Sequence, residues 1–80
     1  MSEHSRLRWQ CRRGMRELDR LLERYLETAY ADADDEEKAA FRQVLTLADP
    51  ELNSYLLQRE VPDSGPIAHV IQHILSLPHA

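Results

Sequence analysis

The fold is decided by the stretch from Met15 to Tyr30, MRELDRLLERYLETAY, which predicts one amphipathic helix. Its apolar side chains recur at steps of three and four residues: Met15, Leu18, Leu22, Tyr25, Leu26 and Ala29. At 3.6 residues per turn, this spacing places them in one stripe along the helix. We therefore expect a helix over about 15–30 that packs this stripe into a core.

A shorter helix is expected before this stretch and a third helix after it. The first runs over about Arg6–Arg13, ends at Gly14, and contributes Trp9 and Cys11 as its main apolar side chains. The acids at positions 34–37 suit the positive end of a helix dipole and predict the start of the third helix. Its inward side chains are expected to be Phe41, Val44, Leu45 and Ala48.

Two proline-containing segments predict two further helices. Asp49 is expected to cap the fourth helix, with Pro50 at its first position, where the missing N–H costs nothing. Pro66 opens the fifth helix in the same way, after a turn at 61–65, and Pro78 limits it. Their expected core residues are Leu52, Tyr55 and Leu56 in the fourth helix and Ile67, Val70, Ile71, Ile74 and Leu75 in the fifth.

The chain shows no strand-like alternation of apolar and polar residues and contains only two glycines. It is therefore predicted to be all-α, a small five-helix bundle forming a single domain over 1–80, with about 6–77 structured. Eighty residues leave little room for a deep active-site cleft, so a protein without enzymatic activity is expected. One cysteine, no signal-like segment and no membrane-length apolar run favour the cytoplasm, without membrane insertion.

Charge is unevenly distributed along the chain. Residues 1–24 hold seven arginines against four acids, whereas residues 25–80 hold three basic residues against ten acids. Because arginine offers a planar fork for carboxylates, the basic end favours a protein surface as its partner.

The segment from Trp9 to Asp19 combines a glycine with charged side chains on both sides. On the second helix, Glu17 lies about 200° from Met15 and should face solvent. Arg13, Gly14 and Glu17 would then form a docking patch with one cation, one anion and exposed backbone between them. A purely structural alternative makes Gly14 a helix-joining residue and Glu17 half of a capping box that bonds back to a free N–H.

This segment resembles the Arg-Gly-x-x-Glu signature of the SdhE (YgfY) family of succinate dehydrogenase assembly factors, matched by Arg13, Gly14 and Glu17. The resemblance spans about residues 8–57 and continues through Asp34-Asp35-Glu36-Glu37-Lys38, Phe41, Leu45, Asp49-Pro50-Glu51-Leu52 and Leu56. Tyr55 departs from it, because the family commonly has tryptophan there, and the part from Val61 onward is less distinctive.

The resemblance implies a five-helix domain that binds the flavoprotein subunit of succinate dehydrogenase, and in some bacteria of fumarate reductase. Such proteins assist covalent attachment of FAD to a histidine of that partner, so FAD belongs to the partner and this chain binds no cofactor tightly. None of its own histidines inherits the acceptor role: His4, His69, His73 and His79. A monomer is expected, with these residues at the interface: Arg8, Trp9, Arg12, Arg13, Gly14, Arg16 and Glu17.

Other classes of function remain open at this point. A helix-turn-helix nucleic-acid binder would use the seven N-terminal arginines, but Glu17, Asp19 and Glu23 interrupt their face. A regulatory interaction module, such as an antitoxin-like protein, would present the same surface.

A metal site and a catalytic thiol are both disfavoured by the sequence. His69 and His73 are four residues apart, but a His-Glu-x-x-His motif would need glutamate where Val70 stands, so two solvated histidines are expected. Cys11 has no histidine at a spacing that predicts a base, so a buried thiol is expected.

Overall fold

The computed structural model describes residues 2–63 and 65–77. In these ranges the chain forms α1 (Glu3–Gln10), α2 (Arg16–Thr28), α3 (Asp35–Val44), α4 (Asp49–Leu56) and α5 (Gly65–Ser76), with a short 3₁₀ turn at Tyr30–Asp32. Neither range contains a strand. The prediction of an all-α protein with five helices is therefore confirmed.

Helix α2 lies at the centre of the bundle and contacts α1, α4 and α5, while α3 packs mainly on α5. The largest fully buried side chains come from all of these elements or their caps: Tyr25, Phe41, Leu18, Leu22, Leu52, Ile74, Val44, Val70 and Cys11. The Tyr25 and Phe41 rings lie 4.5 Å apart between centroids. Burying each large apolar side chain contributes about 1.5–3 kcal/mol. None of the described helices is long and apolar enough to span a membrane.

The predicted α2 stripe is confirmed at its centre and differs at its N-terminal end. Leu18, Leu22, Tyr25 and Leu26 are buried. Met15 is 37% exposed, because it is the N-cap of α2 and its extended backbone turns the side chain away from the stripe.

Helix α1 begins three residues earlier than predicted and ends before Gly14. The Ser2 hydroxyl accepts the Ser5 N–H at 3.2 Å and caps the helix start, a signal that the sequence prediction missed. The sequence does not decide whether Trp9 packs against the fold or lies at the surface, and in the structure Trp9 is 75% exposed. Leu7 and Cys11, one turn apart, form the buried face instead, and Trp9 lies about 200° around the helix from Leu7.

The start of α4 also differs from the prediction. Ala48, expected to point inward, is exposed and is the N-cap residue, with no side-chain hydrogen bond. Asp49 is the first residue of the helix and not its cap, and its carboxylate lies 3.5 Å from the Arg13 guanidinium.

The C-terminal core prediction agrees with the structure in most positions. Leu52 and Leu56 of α4 are buried, and Tyr55 is partly buried. In α5 the buried residues are Val70, Ile71 and Ile74, with Ile67 and Leu75 packed at the edge. The predicted limit at Pro78 lies outside the described residues.

Candidate partner-binding site

The turn between α1 and α2 depends on Gly14. Its φ of +78° is a left-handed conformation that other L-residues adopt at a cost. A Cβ placed on Gly14 would meet no atom within 4 Å, so glycine is not required by crowding. The turn therefore exposes bare backbone on an open surface.

Arg13 anchors this turn to the connection between α3 and α4. Its guanidinium donates to the carbonyl oxygens of Leu45 and Leu47, the latter at 3.1 Å, and lies 3.5 Å from the Asp49 carboxylate. Its side chain is only 16% exposed. Arg13 is thus not the outward cation that the sequence interpretation expects, since its charge satisfies carbonyls at the C-terminal end of α3.

Asp19 performs the local bonding that the alternative interpretation assigned to Glu17. The Asp19 carboxylate accepts the backbone N–H of Arg13 at 2.7 Å and thereby fixes the entry into α2. Glu17 is exposed, and within residues 2–63 and 65–77 it has no hydrogen bond or ion pair. The half-capping-box role proposed for Glu17 is therefore wrong, and its carboxylate is free for an external contact.

The other predicted interface residues all lie at the surface around this turn. Trp9 is the most exposed large apolar residue described. Arg8 and Arg12 pair with acids of α2, at 3.3 Å to Glu27 and 3.7 Å to Glu23, whereas Arg16 is exposed. The arginines of this end are thus interleaved with carboxylates, the pattern of a solvent-exposed helix face.

The structure brings only some of the predicted residues into one concave surface. Arg12, Gly14 and Arg16 line an open groove of about 860 Å³, which continues along α2 past Asp19 and Arg20. Arg8, Trp9, Arg13 and Glu17 do not line it. Sequence spacing identifies the neighbourhood, but it does not show which side chains share a face.

Cys11 is fully buried beneath the same turn. Burial raises the pKa of its thiol to about 12, and the negative charge of Glu23 adds to the effect. The prediction of a buried thiol is confirmed.

A polar cluster at the far side of the bundle was not predicted. Glu37, whose side chain is 10% exposed, accepts hydrogen bonds on one oxygen from the Tyr25 hydroxyl and from His73 Nδ1, the latter at 2.9 Å. His69 Nε2 lies 3.0 Å from the other oxygen, but its side chain is 73% exposed, in agreement with the expected solvated histidine. His73 differs from the expectation, because it is half-buried and bonds to Glu37. This cluster ties α5 to α2 and α3. Only tertiary packing reveals it, although the i, i+4 histidine spacing is a partial signal.

In the two described ranges, no group of three or more histidine, cysteine, aspartate or glutamate side chains is arranged to hold a metal ion. The Glu37 carboxylate is instead surrounded by hydrogen-bond donors.

We expect Glu37 to make the stability of this protein depend on pH. Burial raises the Glu37 pKa, but the hydrogen bonds from Tyr25 and His73 and the nearby histidine charges outweigh it, so the pKa lies below its ordinary value of 4.5. The carboxylate therefore contributes stability above about pH 4.5, and this contribution is lost as the pH falls through the folded-state pKa. Glu37→Gln should lower the unfolding free energy by about 1–3 kcal/mol near pH 7, with a smaller difference in acid.

Urea unfolding of wild type and Glu37→Gln between about pH 7 and pH 3 measures this difference. Glu36→Gln is the matched control, since Glu36 is exposed and has no bonding partner in the described residues. If the difference in unfolding free energy between wild type and Glu37→Gln stays constant across this pH range, the pH dependence does not come from Glu37.

Together these features define a class of protein: a small all-helical module with one anchored interhelical turn, flanked in the chain by exposed arginines, an exposed tryptophan and a glutamate without a partner in the described residues. The chain belongs to the Sdh5 family, described as the flavinator of succinate dehydrogenase, whose model matches residues 5–78.

Curated relatives agree with this assignment. The chain is 38% identical over 76 residues to the FAD assembly factor SdhE of Idiomarina loihiensis, covering 95% of this chain and 84% of that protein. It is 42% identical over 72 residues to the protein of that name from Coxiella burnetii, covering 90% and 88%. For the Methylococcus capsulatus protein of that name, the identity is 40% over 77 residues, covering 96% and 93%.

Proposed function

We propose that this protein binds the flavoprotein subunit of succinate dehydrogenase and promotes covalent attachment of FAD to it. Family membership supports this proposal, and so does the construction of the α1–α2 turn, which is the observation that carries it. Arg13 holds the turn from inside, Gly14 exposes its backbone, and Glu17 presents a carboxylate that has no partner among the residues that the structure describes.

The proposed mechanism is binding and orientation. The turn binds one conformation of the flavoprotein, in which FAD lies beside its acceptor histidine, and so lowers the barrier by positioning the reacting groups. FAD and the acceptor histidine both belong to the partner. This chain contributes no catalytic residue and acts as an assembly factor.

The contact surface that we propose comprises seven residues in two roles. Contacts with the flavoprotein come from the exposed members of the set: Arg8, Trp9, Arg12, Gly14, Arg16 and Glu17. Arg13 acts through them as a positioning residue, because its guanidinium is bonded within the fold. Trp9 supplies the apolar anchor that such interfaces commonly contain.

We place the protein in the cytoplasm as a monomer, with the flavoprotein subunit of fumarate reductase as a second partner. Its single domain covers the whole chain, residues 1–80.

Glu17→Ala is expected to reduce FAD attachment strongly without destabilising the protein. The carboxylate is exposed and unpaired in the described residues, so its removal should change the unfolding free energy by less than about 0.5 kcal/mol. The assay mixes apo-flavoprotein subunit, FAD and the variant, and measures the flavin that stays with the denatured subunit.

Glu36→Ala is the matched control, because it removes an exposed glutamate from α3, away from the turn. Equal FAD attachment with wild type and with Glu17→Ala would count against the proposed site. If wild type itself captures no flavoprotein and gives no increase in attached flavin, the proposed function is wrong.

A further inference from the structure

The outward face of α2 carries three cations beyond the turn, and all three line one open groove: Arg16, Arg20 and Arg24. Arg16 and Arg20 are four residues apart, hence one helical turn, and both are exposed. Both line the open groove that also contains Arg12 and Gly14. The groove is thus continuous with the proposed binding turn.

The acids of this groove are already used by other groups of the chain. Asp19 accepts the Arg13 backbone N–H at 2.7 Å, and Glu23 lies 3.7 Å from the Arg12 guanidinium. Glu27 pairs with Arg8 at 3.3 Å, and His4 lies 3.7 Å from the same carboxylate oxygen.

Arg24 has an interaction within the fold, whereas Arg16 and Arg20 have no such partner in residues 2–63 and 65–77. Neither has a hydrogen bond or an ion pair within the described parts of the chain. Like charges four residues apart repel each other and destabilise a helix. An external anion would relieve this repulsion, and a carboxylate fits the planar guanidinium fork in a bidentate geometry.

We propose that the groove lined by Arg12, Arg16 and Arg20 docks an acidic segment of the flavoprotein partner. The segment presents two carboxylates about 6 Å apart, because the helix rises by about that distance over the four residues from Arg16 to Arg20. This inference rests on the proposed function and extends it by adding Arg20 and the chemistry of the partner surface. A nucleic-acid backbone fits less well, because its continuous phosphates would extend past Arg16 and Arg20 and lie against Glu23 and Glu27, whereas two carboxylates need to reach only the two arginines.

Binding of the purified flavoprotein subunit to wild type, Arg20→Gln and Arg16→Gln/Arg20→Gln, measured over a range of NaCl concentrations, tests the proposal. We expect about a fivefold loss of affinity for the single variant and about a 20-fold loss for the double variant at low salt. Both variants should show a weaker salt dependence than wild type, since fewer charges are screened. Their melting temperatures should equal or exceed that of wild type, because the repulsion is removed.

Arg59→Gln is the matched control for the lost charge, since Arg59 is exposed in the α4–α5 segment and does not line the groove. Its affinity and salt dependence should equal those of wild type. If Arg20→Gln binds as wild type does, with the same salt dependence, the docking groove is wrong while the proposed function stands. Duplex DNA that displaces the flavoprotein and depends on Arg20 would overturn the acidic-segment assignment, and wild type that binds no flavoprotein would overturn both proposals.

Discussion

Replacement of Gly14 by arginine is expected to abolish capture of the flavoprotein while the five helices remain folded. The new side chain has room, because a Cβ at this position meets nothing within 4 Å, but it covers the backbone that we propose contacts the partner. The left-handed φ of +78° adds a stability cost of about 1–2 kcal/mol. We expect affinity to fall about 30-fold or more, the loss typical of a central interface residue.

Circular dichroism and a thermal melt establish that the variant is folded, and co-purification with a tagged flavoprotein subunit measures capture. Gly14→Asn separates strain from obstruction, since asparagine adopts the left-handed conformation more readily than most residues. The Gly14→Asn protein should have nearly wild-type stability and a reduced affinity for the flavoprotein subunit. A folded Gly14→Arg protein that captures flavoprotein as well as wild type would remove Gly14 from the interface.

Arg13→Ala is expected to be the most destabilising change in the Arg-Gly-x-x-Glu segment, at about 2–4 kcal/mol. It removes charge-assisted hydrogen bonds from a guanidinium that is only 16% exposed to two backbone carbonyls, and this loss accounts for most of the expected cost. The lost ion pair with Asp49 adds little, because the Asp49 side chain is 42% exposed. Arg13→Lys should recover little of the loss, because one ammonium group cannot reach carbonyls and carboxylate in the same fork geometry. Urea unfolding at neutral pH measures both variants.

Arg12→Ala is the matched control for this prediction. Arg12 is 70% exposed on its side chain and makes one ion pair of 3.7 Å, so its removal should change stability by less than about 0.5 kcal/mol. If Arg13→Ala and Arg12→Ala unfold at the same urea concentration, Arg13 does not anchor the turn. Wild-type affinity of a folded Arg13→Ala protein for the flavoprotein would show that the anchor is not needed for binding.

The positions of most helices and core residues follow from the sequence because they depend on local periodicity. The stripe Leu18, Leu22, Tyr25 and Leu26 is visible at three- and four-residue spacing, and the same side chains are buried in the structure. Errors occur where two local signals compete. Gly14 was assigned to the end of α1, but the Ser2 cap and the Leu7–Cys11 face place that helix earlier and leave Gly14 in the turn.

The candidate site was located by the sequence only as a segment. Arg13, Gly14 and Glu17 are adjacent in the chain, and the exposure of Glu17 follows from helical geometry. Helical geometry does not predict that the Arg13 guanidinium points into the fold. The carbonyl oxygens that accept its hydrogen bonds, those of Leu45 and Leu47, lie more than thirty residues further along the chain. Spacing within one helix carries no information about such partners.

The sequence by itself determined the helical class, the stripe of α2 and the family signature, since each depends on residue types at short separations. Tertiary structure alone decided three further features: the inward anchor of Arg13, the burial of Glu37 between Tyr25 and the α5 histidines, and the solvent exposure of Trp9. Hydrogen bonding and burial in these cases involve groups that come together only when the helices pack, so the physical reason for each lies in contacts between elements.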